Sequence, residues 1–336
     1  MTIYDISKEA GVSIATVSRV INGSSKVSEA TRAKVLSIIE KSGYSPNVFA
    51  RGLGLNTMHT VGILCADCSD PYLAEAVYYL ERELSANDYD MILYCTGYQL
   101  ARKQKCLELL LSKHVDAIIF VGSNYVEPDE KNNAYIKQAA QKVPVMLLNG
   151  IIDAPNIYCT LCDDRSAICE VTSLIIKSGL RNILFFYNST SFSCRNKLSG
   201  FRDAFDLAGL PLRDEQLCFF DSRDCSVSEM ADRLCSVYDS GMHFSAIVAA
   251  DDRLAVGAIK YAQRRGIAVP DELTITGFNN QSIATYCTPE LTSVDNKLHP
   301  ICSSCVSSLM GILDGNEVPK KIYFSYELVR RDSSLF

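Results

Sequence analysis

Two patterns of apolar and polar positions divide the chain at about residue 60. Before that point, apolar residues recur at spacings of three and four, which predicts short amphipathic helices. After it, apolar runs of strand length alternate with longer amphipathic stretches. Near-continuous apolar strands separated by helices are typical of a parallel sheet that is buried on both faces. The pattern therefore predicts an all-α head followed by a larger α/β core.

The core pattern predicts two successive sets of strands with helices between them. The strands are expected at 61–66, 91–94, 115–121, 143–148, 182–187, 246–250 and 273–278. The helices are expected at 74–86, 100–113, 165–178, 197–208, 228–240 and 254–265. Two such sets indicate two doubly wound parallel-sheet lobes. In that architecture, ligands bind where the carboxyl ends of the strands face each other.

Three short helices with one shared core are predicted for the head. Thr2 and Asp5 have the spacing of a capping box, which marks the start of the first helix. Ser28 is placed to cap the third helix. That helix is expected to bury four apolar residues against the first two, namely Val35, Leu36, Ile38 and Ile39.

The second helix of the head has two opposed faces. Gly11 suits the tight turn before it, and Ser13 is a suitable N-cap. Val17, Val20 and Ile21 recur at helical spacing and are expected to pack inward. The opposite face carries Ala15, Ser18, Arg19 and Asn22. A helix, a glycine-containing turn and a helix with an accessible polar face form the helix-turn-helix signature, whose second helix enters the DNA major groove.

Residues 3–53 resemble the DNA-binding headpiece of the lac repressor (LacI/GalR) family of bacterial transcriptional regulators. The likeness includes the run VSIATVSRVIN and continues, less tightly, through the rest of the chain. It implies a DNA-binding head over 1–45, a hinge helix or linker over 46–58, and an effector-binding and dimerisation core over 59–336. The family's core has the periplasmic-binding-protein-like fold.

The resemblance also implies that the chain crosses between the lobes of the core three times. We expect the crossings near 159–163, 288–293 and 318–323. The first lobe would then comprise about 59–160 and 291–320, and the second about 162–289 and 321–336.

The resemblance assigns DNA contacts to the head and the hinge. Leu53 stands where the family inserts a leucine into the minor groove as an apolar wedge that kinks the duplex. Gly52 and Gly54 flank it, and each costs about 1 kcal/mol of helix propensity relative to alanine. We therefore expect the hinge helix to be marginal without DNA. The residues expected to contact DNA are Thr2, Ser13, Ile14, Ala15, Thr16, Ser18, Arg19, Asn22, Asn47, Ala50 and Leu53.

The base-reading positions on the second helix are largely apolar. Ile14 and Ala15 stand at the family's main variable positions, where apolar side chains favour contact with thymine methyl groups over hydrogen-bonded readout. Arg19 is the only charged side chain of that helix. We expect Arg19 to contribute to the choice of operator sequence.

Effector contacts are implied at strand ends in both lobes. In the first lobe, Tyr72 and Leu73 follow the first core strand, and Asn149 ends the fourth at a position where many relatives have Asp. Ordinary loop packing is the alternative interpretation of Tyr72 and Leu73. An amide at Asn149 can donate as well as accept hydrogen bonds.

In the second lobe, Ser191 and Lys197 lie in a segment that aligns with the family's Arg-x-x-Gly-Phe pattern. Lys197 replaces the family arginine, so a point charge replaces a planar bidentate clamp. Asp251 and Asn279 end later strands, and Asn279 matches a position that is commonly Asp. Amides at both Asn149 and Asn279 fit a neutral hydroxylated effector or one with an anionic group. Each residue taken alone is equally suited to capping a strand end.

Charge is distributed unevenly along the 336 residues. The net charge is −6, yet residues 1–55 contain seven basic and four acidic residues, a net of +3 that leaves −9 for the remainder. A basic head on an acidic body lets the head meet DNA phosphates while the body stays off the DNA. A solvated surface produces a similar balance, so charge alone does not decide the function.

Fourteen cysteines include three pairs with CxxC spacing: Cys65/Cys68, Cys159/Cys162 and Cys302/Cys305. We expect reduced thiols, many of them small core residues within apolar runs, such as Cys65, Cys95, Cys106 and Cys169. None of the three pairs has a histidine at zinc spacing. A redox or metal role for these pairs is the alternative.

Composition and motifs narrow the function further. Hydrophobic residues make up 48% of the chain and charged residues 21%, which is ordinary for a soluble globular protein. The sequence has no apolar run of membrane-spanning length and no signal-peptide pattern, so we expect a cytoplasmic protein without a membrane partner. No GxSxG, HExxH or P-loop pattern is present, so neither catalytic residues nor a cofactor or metal are assigned.

The sequence therefore favours a homodimeric transcriptional regulator, usually a repressor. Its partners would be palindromic double-stranded operator DNA and a small-molecule effector, such as a sugar or sugar derivative. The alternative is a solute-binding protein with the same core fold.

Overall fold

The computed structural model describes residues 2–21, 25–44, 57–220 and 225–336. The head contains α1 (Ile3–Ala10), α2 (Ile14–Ile21) and α3 (Glu29–Ser42). The Thr2 backbone N–H donates to the Asp5 carboxylate at 2.8 Å, and the Asp5 N–H donates back to the Thr2 hydroxyl. The capping box predicted from the sequence is therefore present.

Four fully or nearly fully buried side chains, Ile6, Val17, Val20 and Val35, form the centre of the head with Ala10. The prediction that Leu36 is also buried is wrong, since this side chain is 46% exposed. Successive residues on a helix point about 100° apart, so the inward position of Val35 turns Leu36 towards solvent. Ile38 and Ile39 are half-buried.

The first lobe is built on a six-stranded parallel sheet with the order β11-β5-β4-β3-β1-β2. Its strands are β1 (Thr60–Cys65), β2 (Asp90–Cys95), β3 (Ala117–Val121), β4 (Val145–Leu148), β5 (Ile157–Cys162) and β11 (Lys321–Phe324). Its helices are α4 (Pro71–Ser85), α5 (Leu100–Ser112), α6 (Ala134–Ala139) and α12 (Leu298–Leu313), with 3₁₀ turns at Ser123–Tyr125 and Glu130–Asn133.

The second lobe has a six-stranded sheet with the order β12-β10-β9-β8-β6-β7, in which only β12 is antiparallel. Its strands are β6 (Ile183–Tyr187), β7 (Leu217–Phe219), β8 (Ala246–Ala249), β9 (Thr274–Phe278), β10 (Thr292–Asp295) and β12 (Glu327–Val329). Its helices are α7 (Asp164–Lys177), α8 (Phe192–Leu207), α9 (Val227–Asp239), α10 (Asp252–Arg265) and α11 (Ile283–Tyr286), with a 3₁₀ turn at Asp214–Gln216.

Both faces of the first sheet are covered. Ile63 and Leu64 are neighbours in β1, yet they belong to separate apolar clusters on opposite faces of the sheet, and both are fully buried. The same burial holds throughout β3 and β4. The prediction of an all-α head and two doubly wound lobes with buried parallel strands is confirmed.

The second and third crossings between the lobes lie later in the chain than expected. β10 pairs with β9 of the second lobe, whereas α12 packs in the core of the first, so the second crossing falls between Asp295 and Leu298. β11 pairs with β5 and β12 with β10, which places the third crossing between Phe324 and Glu327. The sequence of a four-residue strand does not indicate which sheet the strand joins. The strand with which it pairs determines the lobe to which it belongs.

Candidate functional site

The outer face of α2 is accessible along its length. Ser13, Ile14, Ala15 and Arg19 are exposed, and Thr16 and Ser18 are half-buried. The Ser13 hydroxyl accepts a hydrogen bond from the Thr16 backbone N–H at 3.2 Å and so caps the helix, as the sequence predicted. The structure thus places Ile14, Ala15, Ser18 and Arg19 on the side of α2 away from the buried valines, with Ser13 and Thr16 at its first turn.

The start of α1 is also exposed. Thr2 is exposed and fixes the first turn through its capping box. Tyr4, which the sequence analysis did not select, is 68% exposed. The sequence feature that could have identified Tyr4 as exposed is its position just outside the apolar stripe of a short helix. Asn22, Asn47, Ala50 and Leu53, with the neighbouring Gly52 and Gly54, lie outside the described residues.

A chain of side-chain hydrogen bonds joins the two lobes at their strand ends. The Asn149 amide donates to the Tyr72 hydroxyl at 2.6 Å, and the Asn296 amide donates to the same hydroxyl at 2.9 Å. Asn296 also lies 3.1 Å from the side-chain oxygen of Asn279. Asn149 and Tyr72 belong to the first lobe, Asn279 follows a strand of the second, and Asn296 lies at the second crossing.

The backbone explains why asparagine occupies two of these positions. Asn149 has φ = 56° and Asn279 has φ = 99°, both in the left-handed region that asparagine tolerates better than most residues. Each residue follows directly on a buried strand, and its own N–H continues the sheet by donating to Thr160 and Val294 respectively. The turn therefore directs each amide away from the sheet.

Two acceptors in this chain have no hydrogen-bond partner within the described structure. They are the side-chain oxygens of Asn149 and Asn296, residues that are 8% and 3% exposed. A buried polar atom without a partner costs about 1–3 kcal/mol. Burial raises the pKa of Tyr72, and the negative charge of Asp164 raises it further, so the hydroxyl keeps its proton. The cluster therefore contains two buried acceptors whose hydrogen-bonding capacity is unused within the described structure.

Lys197 is buried at the end of the second sheet. Its ammonium group donates to the Ala250 carbonyl at 2.8 Å and lies 3.5 Å from the centre of the Phe278 ring. One donor is used in this way, which leaves two of the three ammonium protons for other acceptors. The position of the charge is consequently fixed by the protein itself.

Carboxylates surround this lysine. Burial raises the pKa values of Asp164 and Asp251, and the Lys197 charge acts in the opposite direction on both. Asp251 caps α10 by accepting from the Leu254 N–H at 2.8 Å, and Asp164 accepts from the Ser193 hydroxyl at 2.5 Å. Sequence reasoning selected Asp251 and missed Asp164, whose signal was a carboxylate in the first turn of a helix that follows a strand.

Asp70 brings a third carboxylate to this region from the first lobe. It caps α4, and burial raises its pKa, whereas the Arg253 charge from the second lobe lowers it. Asp70 also contributes to the raised pKa of Asp251, so the two carboxylates interact across the lobes. Carboxylates from both lobes therefore act on one another in the region between the sheets.

The two remaining predicted contacts are placed differently. The Ser191 hydroxyl accepts from the Ser123 hydroxyl of the first lobe at 3.0 Å, so it takes part in the inter-lobe contact. Leu73 is 5% exposed and packs in the apolar core of the first lobe. Its burial supports the packing interpretation that the sequence left open.

Three further observations bear on the class of protein. Among residues 2–21, 25–44, 57–220 and 225–336, no group of three or more His, Cys, Asp and Glu side chains is placed to hold a metal ion. Within the same ranges, every helix is too short or too polar to cross a bilayer. Cys65 and Cys106 are core residues as expected, but Cys95 is exposed and Cys169 is half-buried, so the expectation for these two is wrong.

The chain matches two family models. The model described as bacterial regulatory proteins, lacI family, matches residues 2–47, and the periplasmic binding protein-like domain matches residues 173–334. An HTH-type transcriptional regulator of Lachnoclostridium phytofermentans is 49% identical, with 100% of each chain covered. Catabolite control protein A of Priestia megaterium is 33% identical, over 96% of this chain and 95% of the relative.

The fold has counterparts among solved structures. The lac repressor dimer bound to operator and the anti-inducer ONPF superposes with a TM-score of 0.88 at 20% identity. The likeness covers 100% of this chain and 99% of the repressor chain. At this identity the comparison concerns the fold, which has the same arrangement of head and two lobes.

Proposed function

Because the chain belongs to the lac repressor (LacI/GalR) family of transcriptional regulators, we propose that it represses transcription by binding operator DNA under the control of a small molecule held between its lobes. The family consists of regulators and not of enzymes. The observation that carries the proposal is the hydrogen-bond chain from Asn149 through Tyr72 and Asn296 to Asn279, with its two unused acceptors.

The accessible face of α2 supports major-groove binding. Ser13, Ile14, Ala15 and Arg19 form an exposed surface whose only charged group is the guanidinium. We assign base contacts to Ile14, Ala15 and Arg19, and backbone contacts to Thr2, Ser13, Thr16, Ser18 and Asn22. Arginine is the residue that most often reads guanine, by a bidentate contact in the major groove.

The proposed operator is palindromic and the proposed assembly is a homodimer. A single head reads only a half-site, and a two-fold operator mirrors a two-fold protein. The proposed hinge over 46–58 would place Asn47, Ala50 and Leu53 against the minor groove between the half-sites. The proposed division of the chain is therefore a head over 1–45, this hinge, and a core over 59–336. Such a regulator acts in the cytoplasm, where bacterial DNA lies.

The proposed effector is a neutral polyhydroxylated molecule, such as a sugar. Three carboxylates, Asp70, Asp164 and Asp251, outnumber the two cations near them, Lys197 and Arg253. An anionic ligand would meet these carboxylates on several sides, whereas hydroxyl groups donate to carboxylates and to amide oxygens alike. The sequence left open a neutral hydroxylated effector or one with an anionic group. The surplus of carboxylates favours the neutral effector.

Control of DNA binding would follow from the position of the ligand between the lobes. A molecule bonded to Asn149 in one lobe and to Asp251 in the other changes the free energy of the closed arrangement relative to the open one. Coupling between this equilibrium and operator affinity is reciprocal, so operator DNA must alter effector affinity by the same factor.

The decisive experiment uses the full chain. Palindromic DNA selected from a random pool is tested in a mobility-shift assay, and a thermal-shift screen compares neutral sugars, sugar phosphates and nucleobases. We expect sequence-specific binding by a dimer, a rise in melting temperature with a neutral sugar, and a change in DNA affinity with that sugar. A ligand that stabilises the core without affecting any DNA binding would instead indicate a solute-binding protein.

A further inference from the structure

Three cysteines that take no part in the hydrogen-bond chain meet at the carboxyl ends of β1 and β2. Cys65 and Cys95 are register partners in the two parallel strands. The sulfur atoms of Cys68 and Cys95 lie 2.7 Å apart, and both residues are free thiols. A disulfide bond is about 2.05 Å long, so less than about 1 Å of further approach separates the two sulfurs from bonding distance.

The backbone around the two sulfurs is tied together by hydrogen bonds. The Thr96 N–H donates to the Cys65 carbonyl at 2.8 Å, and the Gly97 N–H donates to the Ala66 carbonyl at 2.8 Å. These bonds fix the end of β2 against the start of the loop that carries Cys68. The sheet therefore holds Cys95 close to the segment that leads into Cys68.

Accessibility distinguishes this pair from the other close cysteines. Cys95 is exposed and Cys68 is partly exposed, whereas the CxxC pairs Cys159/Cys162 and Cys302/Cys305 are buried. Cys65 is fully buried, so a dissolved oxidant does not reach its sulfur. Burial raises the pKa values of both Cys65 and Cys68, so accessibility and not acidity separates these two thiols. Cys95 is therefore the sulfur that a dissolved oxidant reaches, and Cys68 is the thiol beside it.

We propose that Cys68 and Cys95 form a reversible disulfide on exposure to a peroxide. The Cys95 thiol gives up its proton, its sulfur attacks one oxygen of the peroxide, and the O–O bond breaks. Cys95 becomes a sulfenic acid, and the leaving hydroxide takes up the released proton as water. The Cys68 sulfur then attacks the sulfenic sulfur, the S–O bond breaks, and a second water leaves with the Cys68 proton. Two thiols lose two electrons in total, and hydrogen peroxide gains them.

The disulfide would connect the loop before α4 to the end of β2. Tyr72 follows Cys68 by four residues and accepts the hydrogen bonds from Asn149 and Asn296. The bond therefore restrains the segment that places the Tyr72 hydroxyl between the lobes. This modification site stands on sulfur geometry alone and is independent of the proposed effector and operator.

The test uses the reduced full chain, treated with hydrogen peroxide and then alkylated. Before alkylation, we expect the intact mass to fall by two hydrogens and dithiothreitol to restore it. After alkylation and digestion, we expect a peptide pair linked through Cys68 and Cys95. Cys95→Ser and Cys68→Ser should each abolish the linked peptide, and Cys68→Ser should leave a sulfenic acid at Cys95 that dimedone traps. Cys169→Ser, which removes a half-buried thiol in the second lobe, should retain the link.

Hydrogen exchange measures the restraint in the same samples. Amides of residues 66–73 should exchange more slowly in the oxidised protein, by roughly threefold or more, and recover on reduction. The disulfide is refuted if Cys68 remains open to alkylation, if Cys65 is found in the link, or if a non-reducing gel shows the link between two chains. Unchanged exchange of residues 66–73 with the link present refutes the restraint.

Discussion

The Ser123 hydroxyl donates a hydrogen bond of 3.0 Å to the Ser191 hydroxyl, and this bond joins the loop after the third strand of the first lobe to the helix cap of α8 in the second. It is a direct bond between lobes that does not pass through a crossing segment. An opening motion of the lobes must break it. Its strength therefore contributes to the balance between open and closed arrangements.

Ser123→Ala should shift that balance towards the open arrangement. A net hydrogen bond contributes about 1 kcal/mol, which is roughly a fivefold change in the ratio of the two populations. Small-angle scattering of the free protein should show a larger radius of gyration. Ser112→Ala is the control, because the Ser112 hydroxyl donates to the Leu109 carbonyl in its own helix and, among the described residues, forms no bond between the lobes. Identical scattering from the two variants would contradict the role of the inter-lobe bond.

Tyr72→Phe should destabilise the core by about 1–3 kcal/mol, because the Asn149 and Asn296 amides each lose an acceptor in a buried site. Urea unfolding measures the change. Tyr78→Phe removes a hydroxyl from the same helix at a residue that is 52% exposed, and it should cost less than about 0.5 kcal/mol. Equal losses for the two variants would show that the Tyr72 hydroxyl is not a structural acceptor.

The strands that could be predicted from the sequence are those whose buried residues form a long apolar run. β1, β3 and β4 are near-continuous apolar runs because both faces of each strand are covered. β7 and β12 are three-residue strands with half-exposed positions, so no run or alternation marks them. The lobe to which a short strand belongs depends on its partner strand. For this reason the second and third crossings were predicted too early in the chain.

The site divides in the same way. Asn149 and Asn279, which the structure brings into one hydrogen-bond chain, were selected because ligands bind at strand ends in such folds. Asn296 was missed, although it links Tyr72 to Asn279, because its role comes from a crossing that brings distant segments together. The separation of Cys68 and Cys95 by twenty-seven positions likewise hides their contact. Sequence spacing reveals which residues are neighbours within one helix or strand. It does not reveal which residues of different helices, strands or loops are in contact.

Asp252 should make the core less stable as the pH rises from about 4 to about 7. Burial raises its pKa from 3.8 to about 7, so the folded protein binds this proton more tightly than the unfolded chain. The free energy of unfolding therefore falls across that interval and levels off above it. Urea unfolding at several pH values should show a shallower decline for Asp252→Asn than for the wild type.

Asp90→Asn is the control for that experiment, since it removes the same charge at an exposed position of the first lobe. Its decline between pH 4 and 7 should match that of the wild type. The Asp252 carboxylate also accepts from the Ser293 hydroxyl at 2.5 Å and the Gln281 N–H at 2.7 Å, so Asp252→Asn is expected to be less stable at every pH. The test of Asp252 ionisation is therefore the slope of the unfolding free energy against pH. A slope in Asp252→Asn equal to that of the wild type would contradict the raised pKa.

Arg19→Ala should weaken binding to the selected operator by about 1–3 kcal/mol and relax the base preference at one position of each half-site. The guanidinium is exposed on α2, and the other side chains of that face lack the charge and reach to replace it. Repeating the DNA selection with the variant gives the preference directly. Lys34→Ala removes one positive charge from an exposed position on α3 and should leave the preference intact. If Arg19→Ala weakens binding to all sequences equally, the residue contacts phosphate, and base selection belongs to Ile14 and Ala15.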